Sequence, residues 1–108
     1  MNANKNLAVT RLKIANLAQF VLNGQLSFIE GCRSINALGS DADLRDDPDF
    51  IVIVAVESET DELPALSELE NWHPDVRAER KLEWESAEQW AVTTATHALR
   101  NLVNRFAQ

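Results

Sequence analysis

Carboxylates are concentrated in one short segment of this chain, and carboxylates are the side chains that hold hard cations and transfer protons. Residues 57–62 read Glu-Ser-Glu-Thr-Asp-Glu. If they continue a helix, Glu57 and Asp61 share one face and repel each other by roughly 0.2–0.5 kcal/mol. They would also lie at the C-terminal end of that helix, where the helix dipole disfavours negative charge. A cation, from an arginine or a bound metal, would relieve this conflict, so the segment is a candidate binding site.

The same acidic segment has a simpler interpretation, in which it caps the next helix or is solvated. As a metal site it lacks the spacing of a calcium-binding loop, and the nearest histidine, His73, follows no recognised ligand pattern. Glycine-rich phosphate loops and G-x-S-x-G nucleophile motifs do not occur in the chain. We therefore predict no catalytic residue, no metal and no cofactor.

A second group of candidate residues surrounds Cys32, the single cysteine. Glu30 and Arg33 lie about one helical turn apart and could orient a ligand. A neighbouring cation could also lower the pKa of Cys32 and make it a nucleophile. However, a cysteine within an apolar helical stripe usually packs in a core, and no histidine or asparagine pattern accompanies this one. We predict that Cys32 is a core residue.

The three tryptophans, Trp72, Trp84 and Trp90, either fill the core or anchor a partner, because aromatic side chains dominate binding hot spots. His97 falls near the apolar face of the last predicted helix, which indicates a packed and hydrogen-bonded side chain. Taken together, the candidate binding residues are Glu30, Arg33, Glu57, Ser58, Glu59, Asp61 and Trp72.

The charge of the chain is acidic and unevenly distributed: 17 Asp and Glu oppose 10 Lys and Arg, for a net charge of −7. Such a balance argues against nucleic-acid binding, which requires a clustered basic face. Residues 1–29 contain no acid, whereas residues 41–88 contain sixteen acids and only four arginines and lysines. We expect the basic terminal segments to lie beside the acidic middle of the fold.

Helical periodicity covers most of the chain. Apolar residues recur at helical spacing over Asn6–Asn23, and Gly24 can adopt the left-handed conformation that ends a helix. Ser27 then begins a second helix, with capping-box spacing to the glutamate three residues on, and Gly39 ends it. Within this second helix Gly31 costs about 1 kcal/mol relative to alanine, so we expect close packing against a neighbouring helix there.

The hardest segment to assign is Phe50–Val56, whose β-branched and aromatic residues favour a strand. Asp47 and Pro48 before it, however, form an N-cap followed by a proline at the first helical position. A lone strand would also leave its backbone groups unpaired, since no other segment offers a convincing partner strand. We therefore predict a buried helix over Pro48–Thr60. The alternative is an α+β fold, with a homodimer as one way to pair or bury this segment.

Two further helical segments follow. Asp61 can cap a short helix that has Pro64 in its first turn and runs to about Trp72, before a His-Pro pair interrupts it. From Asp75 almost to the end, the pattern fits either one helix of roughly 48 Å or a kinked pair that breaks near Ser86.

Together these segments predict an all-α fold: one domain over residues 1–108, built as a bundle of about five helices. One cysteine cannot form an intrachain disulfide, which fits a reducing compartment. The N-terminal stretch lacks the continuous apolar core of a secretory signal, and the longest apolar run is much shorter than the roughly 20 residues of a membrane span. We predict a cytoplasmic protein that does not bind membranes.

Two blocks of this sequence resemble a family of short, uncharacterised bacterial proteins that carry an acidic S-E-T-D-x-L-P segment. The blocks are Gly24-x-x-Ser27-x-Ile29-Glu30-Gly31-Cys32-Arg33 and Ser58-Glu59-Thr60-Asp61-x-Leu63-Pro64, with Trp72 downstream. The similarity covers most of residues 20–90. Where that family is expected to have a glycine and an arginine before the tryptophan, this chain has Leu66 and Leu69. The resemblance implies a bacterial cytoplasmic origin and no particular activity.

The acidic midsection and the lack of a catalytic motif favour a non-enzymatic protein-interaction module. Its partner would be another protein, for example a basic toxin or effector that the chain neutralises in the manner of an immunity protein. The alternative is a small enzyme or a ligand- or metal-binding protein, in which Glu30 and Arg33 meet Glu57, Glu59 and Asp61 in one cleft. The two hypotheses differ in geometry, because these side chains must either converge on a pocket or scatter over the surface.

Overall fold

In the computed structural model, the backbone is described for residues 3–107 and the side chains for residues 6–107. This part of the chain forms five helices and contains no β-strand. The predicted all-α fold of about five helices is therefore confirmed. The helices are α1 (Ala3–Leu22), α2 (Phe28–Leu38), α3 (Pro48–Thr60), α4 (Leu66–Leu69) and α5 (Pro74–Phe106).

The connection between α1 and α2 follows the predicted turn chemistry. Gly24 has φ +80°, the left-handed conformation that glycine adopts without a steric cost. Ser27 precedes α2, and its Oγ accepts a hydrogen bond from the Glu30 N–H at 3.1 Å. The N-cap and the left-handed glycine together reverse the chain and bring α2 against α1.

Two glycines in the α2 region leave room for side chains of other helices. A Cβ atom at Gly31 would overlap the Cγ2 atom of Val21 on α1, so the predicted close packing is confirmed. At Gly39, just after α2, a Cβ atom would meet the ring of Phe50 on α3. Gly39 has φ −60°, which any residue can adopt, so the need for space explains this glycine.

The packing at Gly31 predicts a destabilising Gly31→Ala substitution. We expect the free energy of unfolding to fall by about 1–2 kcal/mol, because overpacking outweighs the roughly 1 kcal/mol that alanine contributes through helix propensity. Urea denaturation measures the change. Adding Val21→Ala should recover part of the loss, so that the double variant is more stable than the two single effects predict.

The control for this substitution is Ser34→Ala, on an exposed position of the same helix. Its effect should stay within about 0.5 kcal/mol. A Gly31→Ala variant that is more stable than the wild type would contradict the close approach of α1 and α2.

Helix α3 forms as predicted despite its β-branched sequence. Asp47 Oδ1 accepts from the backbone N–H groups of Asp49 at 3.0 Å and of Phe50 at 3.2 Å, and Pro48 occupies the first helical position. The α+β alternative is wrong, because these residues are helical. The chain itself covers the buried side of α3, which consists of Phe50, Ile53, Val56 and Thr60.

The fourth helix is shorter than predicted. Asp61 has φ −66° and ψ −22° and follows α3 as its C-cap, so it does not cap the next helix. Helix α4 begins after Ala65, which makes no side-chain cap hydrogen bond. Pro64 lies outside α4, and its carbonyl oxygen accepts from the Trp84 indole Nε1–H at 2.8 Å. That carbonyl therefore contacts α5, and α4 comprises residues 66–69 alone.

Helix α5 is continuous, so the kinked-pair alternative is wrong. Its 33 residues correspond to about 50 Å, close to the 52 Å long axis of the fold. It contacts all four other helices and packs most extensively against α1. Residues 74–83 lie outside the core, next to α4. The buried residues of α5 begin after that projection and are Trp84, Ala91, Ala95, Ala98, Leu99 and Leu102.

The core lies where α1, α2 and α3 meet the C-terminal two-thirds of α5. Small residues are fully buried on both of these helices, Ala15 and Ala18 on α1 and Ala91 and Ala95 on α5. Buried alanines let the axes of packed helices approach closely. Among residues 3–107, no helix combines the length and the apolar composition that a membrane span requires.

Candidate functional site

The C-terminal end of α3 is held by an arginine of α2. Arg33 Nη2 donates to the carbonyl oxygens of Thr60, at 2.5 Å, and of Leu63, at 2.9 Å. The last carbonyls of a helix have no partner within the helix and carry the negative end of its dipole. Arg33 therefore supplies a cation at the end of α3, but it binds backbone oxygens and not the carboxylates of the acidic segment.

Those carboxylates belong to the last turn of α3 and the residues that follow it. Glu57 is half-buried, and none of the four ion pairs among the described residues includes an acid of this segment. Of the two simpler interpretations, capping of the next helix is wrong, because Asp61 ends α3. The carboxylates of the segment are instead solvated, and its exposed members are Ser58, Glu59, Asp61 and Glu62.

Glu30 and Arg33 face different neighbours, although they are one turn apart. The Glu30 Oε1 atom accepts from Ser27 Oγ at 3.3 Å, within the first turn of α2. Arg33 extends to the end of α3. No ion pair joins the two among the described side chains. Glu30 thus belongs to the N-cap of its own helix.

The N-terminal turn of α2 receives a second cap from a distant helix. Glu88 on α5 accepts from the backbone N–H of Phe28 at 2.7 Å and of Ile29 at 3.1 Å. These donors would otherwise be free, and a carboxylate also complements the positive end of the helix dipole. Sequence reasoning missed Glu88, because it lies 59 and 60 positions from the groups that it binds and no local pattern marks it.

Cys32 is fully buried in the core, as predicted. Burial, with a smaller contribution from the Glu88 carboxylate, raises the pKa of its thiol to about 12. The thiolate is the nucleophilic form of cysteine, and almost none of it exists near neutral pH at such a pKa. The geometry therefore offers no support for Cys32 as a nucleophile.

The candidate residues do not come together in the single cleft that an enzyme or a metal-binding protein would need. Glu30 is occupied at the start of α2, Arg33 binds carbonyl oxygens, and the acids after Glu57 point to solvent. Within residues 3–107, no group of three or more His, Cys, Asp or Glu side chains is arranged to hold a metal ion.

The tryptophans and histidines divide between the core and the surface. Trp84 is buried, whereas Trp72 is half-buried beneath Arg80, whose guanidinium carbon lies 5.3 Å from the ring centroid. His73 caps α5, since its Nδ1 accepts from the Asp75 N–H at 3.3 Å. The prediction of a packed His97 is wrong: the adjacent Ala98 and Leu99 take the core-facing positions and His97 is exposed.

The N-terminal end of α3 carries an ion-pair cluster with the last turn of α5. Arg105 Nη2 lies 2.6 Å from Asp47 Oδ2, and its Nη1 lies 3.0 Å from Asp49 Oδ2. Asn101 Nδ2 donates to Asp49 Oδ1 at 3.0 Å. Hydrogen bonding from Arg105 holds the pKa of the Asp47 carboxyl below its ordinary value. This basic end of the chain therefore lies beside acids of the middle segment, as the charge pattern predicted.

This cluster should make stability depend on pH in the acid range. The pKa of Asp47 is lower in the folded chain than its ordinary 3.8, so the unfolded chain binds the proton more readily. The stabilising contribution is therefore complete above about pH 4 and is lost as the pH falls through the lowered pKa. Urea denaturation at a series of pH values should show a weaker acid dependence in Arg105→Gln than in the wild type.

Arg100→Gln is the matched control, because Arg100 is exposed and forms no ion pair with a described residue. Its acid dependence should equal that of the wild type. If the free energy of unfolding depends on acid pH equally in the wild type and in Arg105→Gln, the ion pair between Asp47 and Arg105 contributes nothing to stability.

An open groove of about 650 Å³ lies between the end of α3 and the middle of α5. Leu82 and Trp90 of α5 line it with exposed apolar surface, at 68% and 41% exposure. Glu59 of α3 and Glu83 of α5 also line the groove. Of these residues Glu59 was among the sequence-predicted binding residues, and Trp90 was singled out only with the other two tryptophans, as a core residue or a partner anchor. The sequence contained one signal for this groove: Leu82 and Trp90 are two large apolar residues, eight positions apart, that do not occupy core positions of α5.

No family model, curated protein or solved structure matches this chain. The family resemblance of the two sequence blocks therefore stays a prediction.

Proposed function

We propose that this chain is a non-enzymatic, acidic protein-interaction module whose partner is a basic protein. The observation that carries the proposal is a difference between two groups of acids in and beside α3. Asp47 and Asp49, at its N-terminal end, are bound by Arg105. Glu59, Asp61 and their neighbour Glu62, at its C-terminal end, are exposed to solvent, while Arg33, which reaches that end, binds carbonyl oxygens.

Exposed acids that the fold leaves in solvent are available to a partner. A concentrated negative surface attracts a basic protein over a long range and raises its association rate. The charge of −7 for a chain of 108 residues adds to that attraction. An immunity-type role, in which the chain covers and neutralises a basic toxin or effector, is the specific form of this function that the charge favours.

The experiment compares two variants that remove equal charge from opposite ends of α3. The first is Glu59→Gln/Asp61→Asn/Glu62→Gln, and the second is Asp41→Asn/Asp43→Asn/Asp46→Asn. All six acids are exposed. Each protein is immobilised, exposed to a lysate of the native host and washed at about 0.02 M salt, where charge attraction is weakly screened, and the retained protein is then eluted at about 0.5 M.

We expect the wild type and the second variant to retain the same basic protein, and the first variant to lose it. The complex should form again from the two purified proteins and dissociate in high salt. Retention of no protein at low salt would overturn the proposal. So would equal loss from both variants, which would indicate attraction to overall charge and not to the end of α3.

A further inference from the structure

The groove between α3 and α5 has the composition of a binding surface, because exposed apolar residues occupy it and acids line it. Leu82 has the highest exposure among the large apolar side chains of the described residues, and Trp90 follows two turns later on the same helix. Eight residues of helix place their Cα atoms roughly 12 Å apart. The groove therefore presents two apolar contacts at a defined separation.

Trp90 belongs neither to the buried core nor to the partly buried apolar residues packed against that core. Trp84, on the same helix, is buried and donates its indole N–H to the Pro64 carbonyl at 2.8 Å. Trp90 is 41% exposed, and its indole takes part in none of the side-chain hydrogen bonds of the described residues. A large aromatic side chain that is open to solvent and lines a groove is the kind of residue that becomes an interface hot spot.

The acids at the groove indicate the charge of its occupant. Glu59 and Glu83 line it from opposite helices, and the exposed Asp61 and Glu62 continue the negative charge beyond Glu59. Two cations lie close by but do not line the groove: Arg80, which pairs with Glu83 at 3.1 Å, and Arg33, which binds the Thr60 carbonyl oxygen. A second copy of the chain would bring another net charge of −7, so self-association at this surface is opposed by repulsion.

We infer that the groove binds an amphipathic helix of the partner whose polar face is rich in lysine and arginine. Two apolar residues of that helix, at positions i and i+7 and thus roughly 10 Å apart, contact Leu82 and Trp90. Its flanking cations pair with Glu59 and replace Arg80 at Glu83. This inference rests on the proposed function and adds to it the place and the secondary structure of the contact.

The probe is a synthetic amphipathic peptide of leucine and lysine, with leucines at helical spacing that includes i and i+7. Two comparison peptides replace either every lysine by glutamate or every leucine by glutamine. Binding is followed by the three tryptophan indole N–H signals in ¹⁵N-correlated NMR spectra, with Trp90 assigned by Trp90→Phe. We expect the leucine-lysine peptide to shift the Trp90 signal and leave the Trp84 signal in place. Neither comparison peptide should do so.

Two groove variants and one control locate the binding. Leu82→Ala/Trp90→Ala should weaken the affinity at least tenfold, and Glu59→Gln/Glu83→Gln severalfold, with the second loss disappearing at high salt. The control is Val9→Ala/Phe20→Ala, which removes two apolar side chains of α1 that are each 48% exposed. It should bind as the wild type does. If Leu82→Ala/Trp90→Ala does not fold, Glu59→Gln/Glu83→Gln still tests whether the peptide binds at the groove.

Several results would contradict binding at the groove: the peptide does not bind at low salt, it binds both groove variants as tightly as the wild type, or it binds the α1 control more weakly. Self-association of the chain that Leu82→Ala/Trp90→Ala abolishes would also contradict it. The proposed function fails separately. If the basic partner is lost by Glu59→Gln/Asp61→Asn/Glu62→Gln but retained by Leu82→Ala/Trp90→Ala, the acidic module stands and the groove does not.

Discussion

Replacing Arg33 by alanine is expected to lower the free energy of unfolding by about 3 kcal/mol, the largest effect that we predict for a single side chain. Arg33 donates to the carbonyl oxygens of Thr60 and Leu63. Hydrogen bonds to a charged group contribute about 1.5–3 kcal/mol each, and water can replace part of this because Arg33 is half-buried. Urea denaturation at neutral pH measures the loss.

Three further variants separate charge from geometry at this position. Arg33→Lys keeps a cation whose single nitrogen could donate to both carbonyls, as Nη2 does, but carries it on a flexible stem without the pre-organised guanidinium, so it should recover about half of the loss. Adding Glu59→Gln/Asp61→Asn/Glu62→Gln to Arg33→Ala should recover part of it as well, since fewer acids then lie at the negative end of the helix. Arg45→Ala, an exposed arginine in the loop before α3, should change stability by no more than about 0.5 kcal/mol. If Arg33→Ala costs no more than Arg45→Ala, Arg33 does not hold α3.

Replacing Glu88 by alanine is expected to lower the free energy of unfolding by about 2–3 kcal/mol. Its two carboxylate oxygens accept from the N–H groups of Phe28 and Ile29, and loss of a helix cap alone costs about 0.5–2 kcal/mol. The additional loss follows from the charge, because hydrogen bonds to a carboxylate are about twice as strong as neutral ones. The first turn of α2 should then open more often than the rest of the bundle.

Cys32 gives this prediction a local readout. It lies one turn into α2 and is the single cysteine, so alkylation reports the opening of that helix, together with the smaller increase in reactivity that follows when the Glu88 carboxylate no longer raises the pKa of the thiol. The folded wild type should resist iodoacetamide, and Glu88→Ala should react at least tenfold faster. Glu85→Ala, at an exposed position one turn earlier on α5, should behave as the wild type in both measurements. Unchanged reactivity in Glu88→Ala would show that Glu88 does not secure α2.

Most of the helices could be predicted from local sequence signals, such as capping residues and turn glycines. Asp47 and Pro48 start α3 strongly enough to override the strand preference of the β-branched residues after them, and the bounds Pro48–Thr60 were predicted. Gly24 ends its helix in the expected conformation. The error at α4 came from the prediction that Asp61 caps a new helix, because no local sequence pattern shows that this residue is the C-cap of α3.

The long-range contacts were not predictable in the same way. Arg105 with Asp47, and Glu88 with the start of α2, join residues that are about sixty positions apart. Only the packing of α5 brings them together, and one sequence contains no measure of that packing. The same reason applies to the groove: Glu59 stood out as an acid, but its position opposite Leu82 and Trp90 depends on how α3 crosses α5.

The place of α5 in the chain also governs the order in which the fold can be built. Helix α5 follows every helix that it contacts, and its most extensive contact is with α1, the first. During synthesis α1, α2 and α3 can pack on one another as they emerge, since α1–α2 and α2–α3 are neighbours in sequence. The apolar face that they share remains uncovered while the ribosome adds the 33 residues of α5, roughly 2–7 s at about 5–20 residues per second. The bundle therefore closes last on its longest helix, and the newly made chain must remain soluble until then.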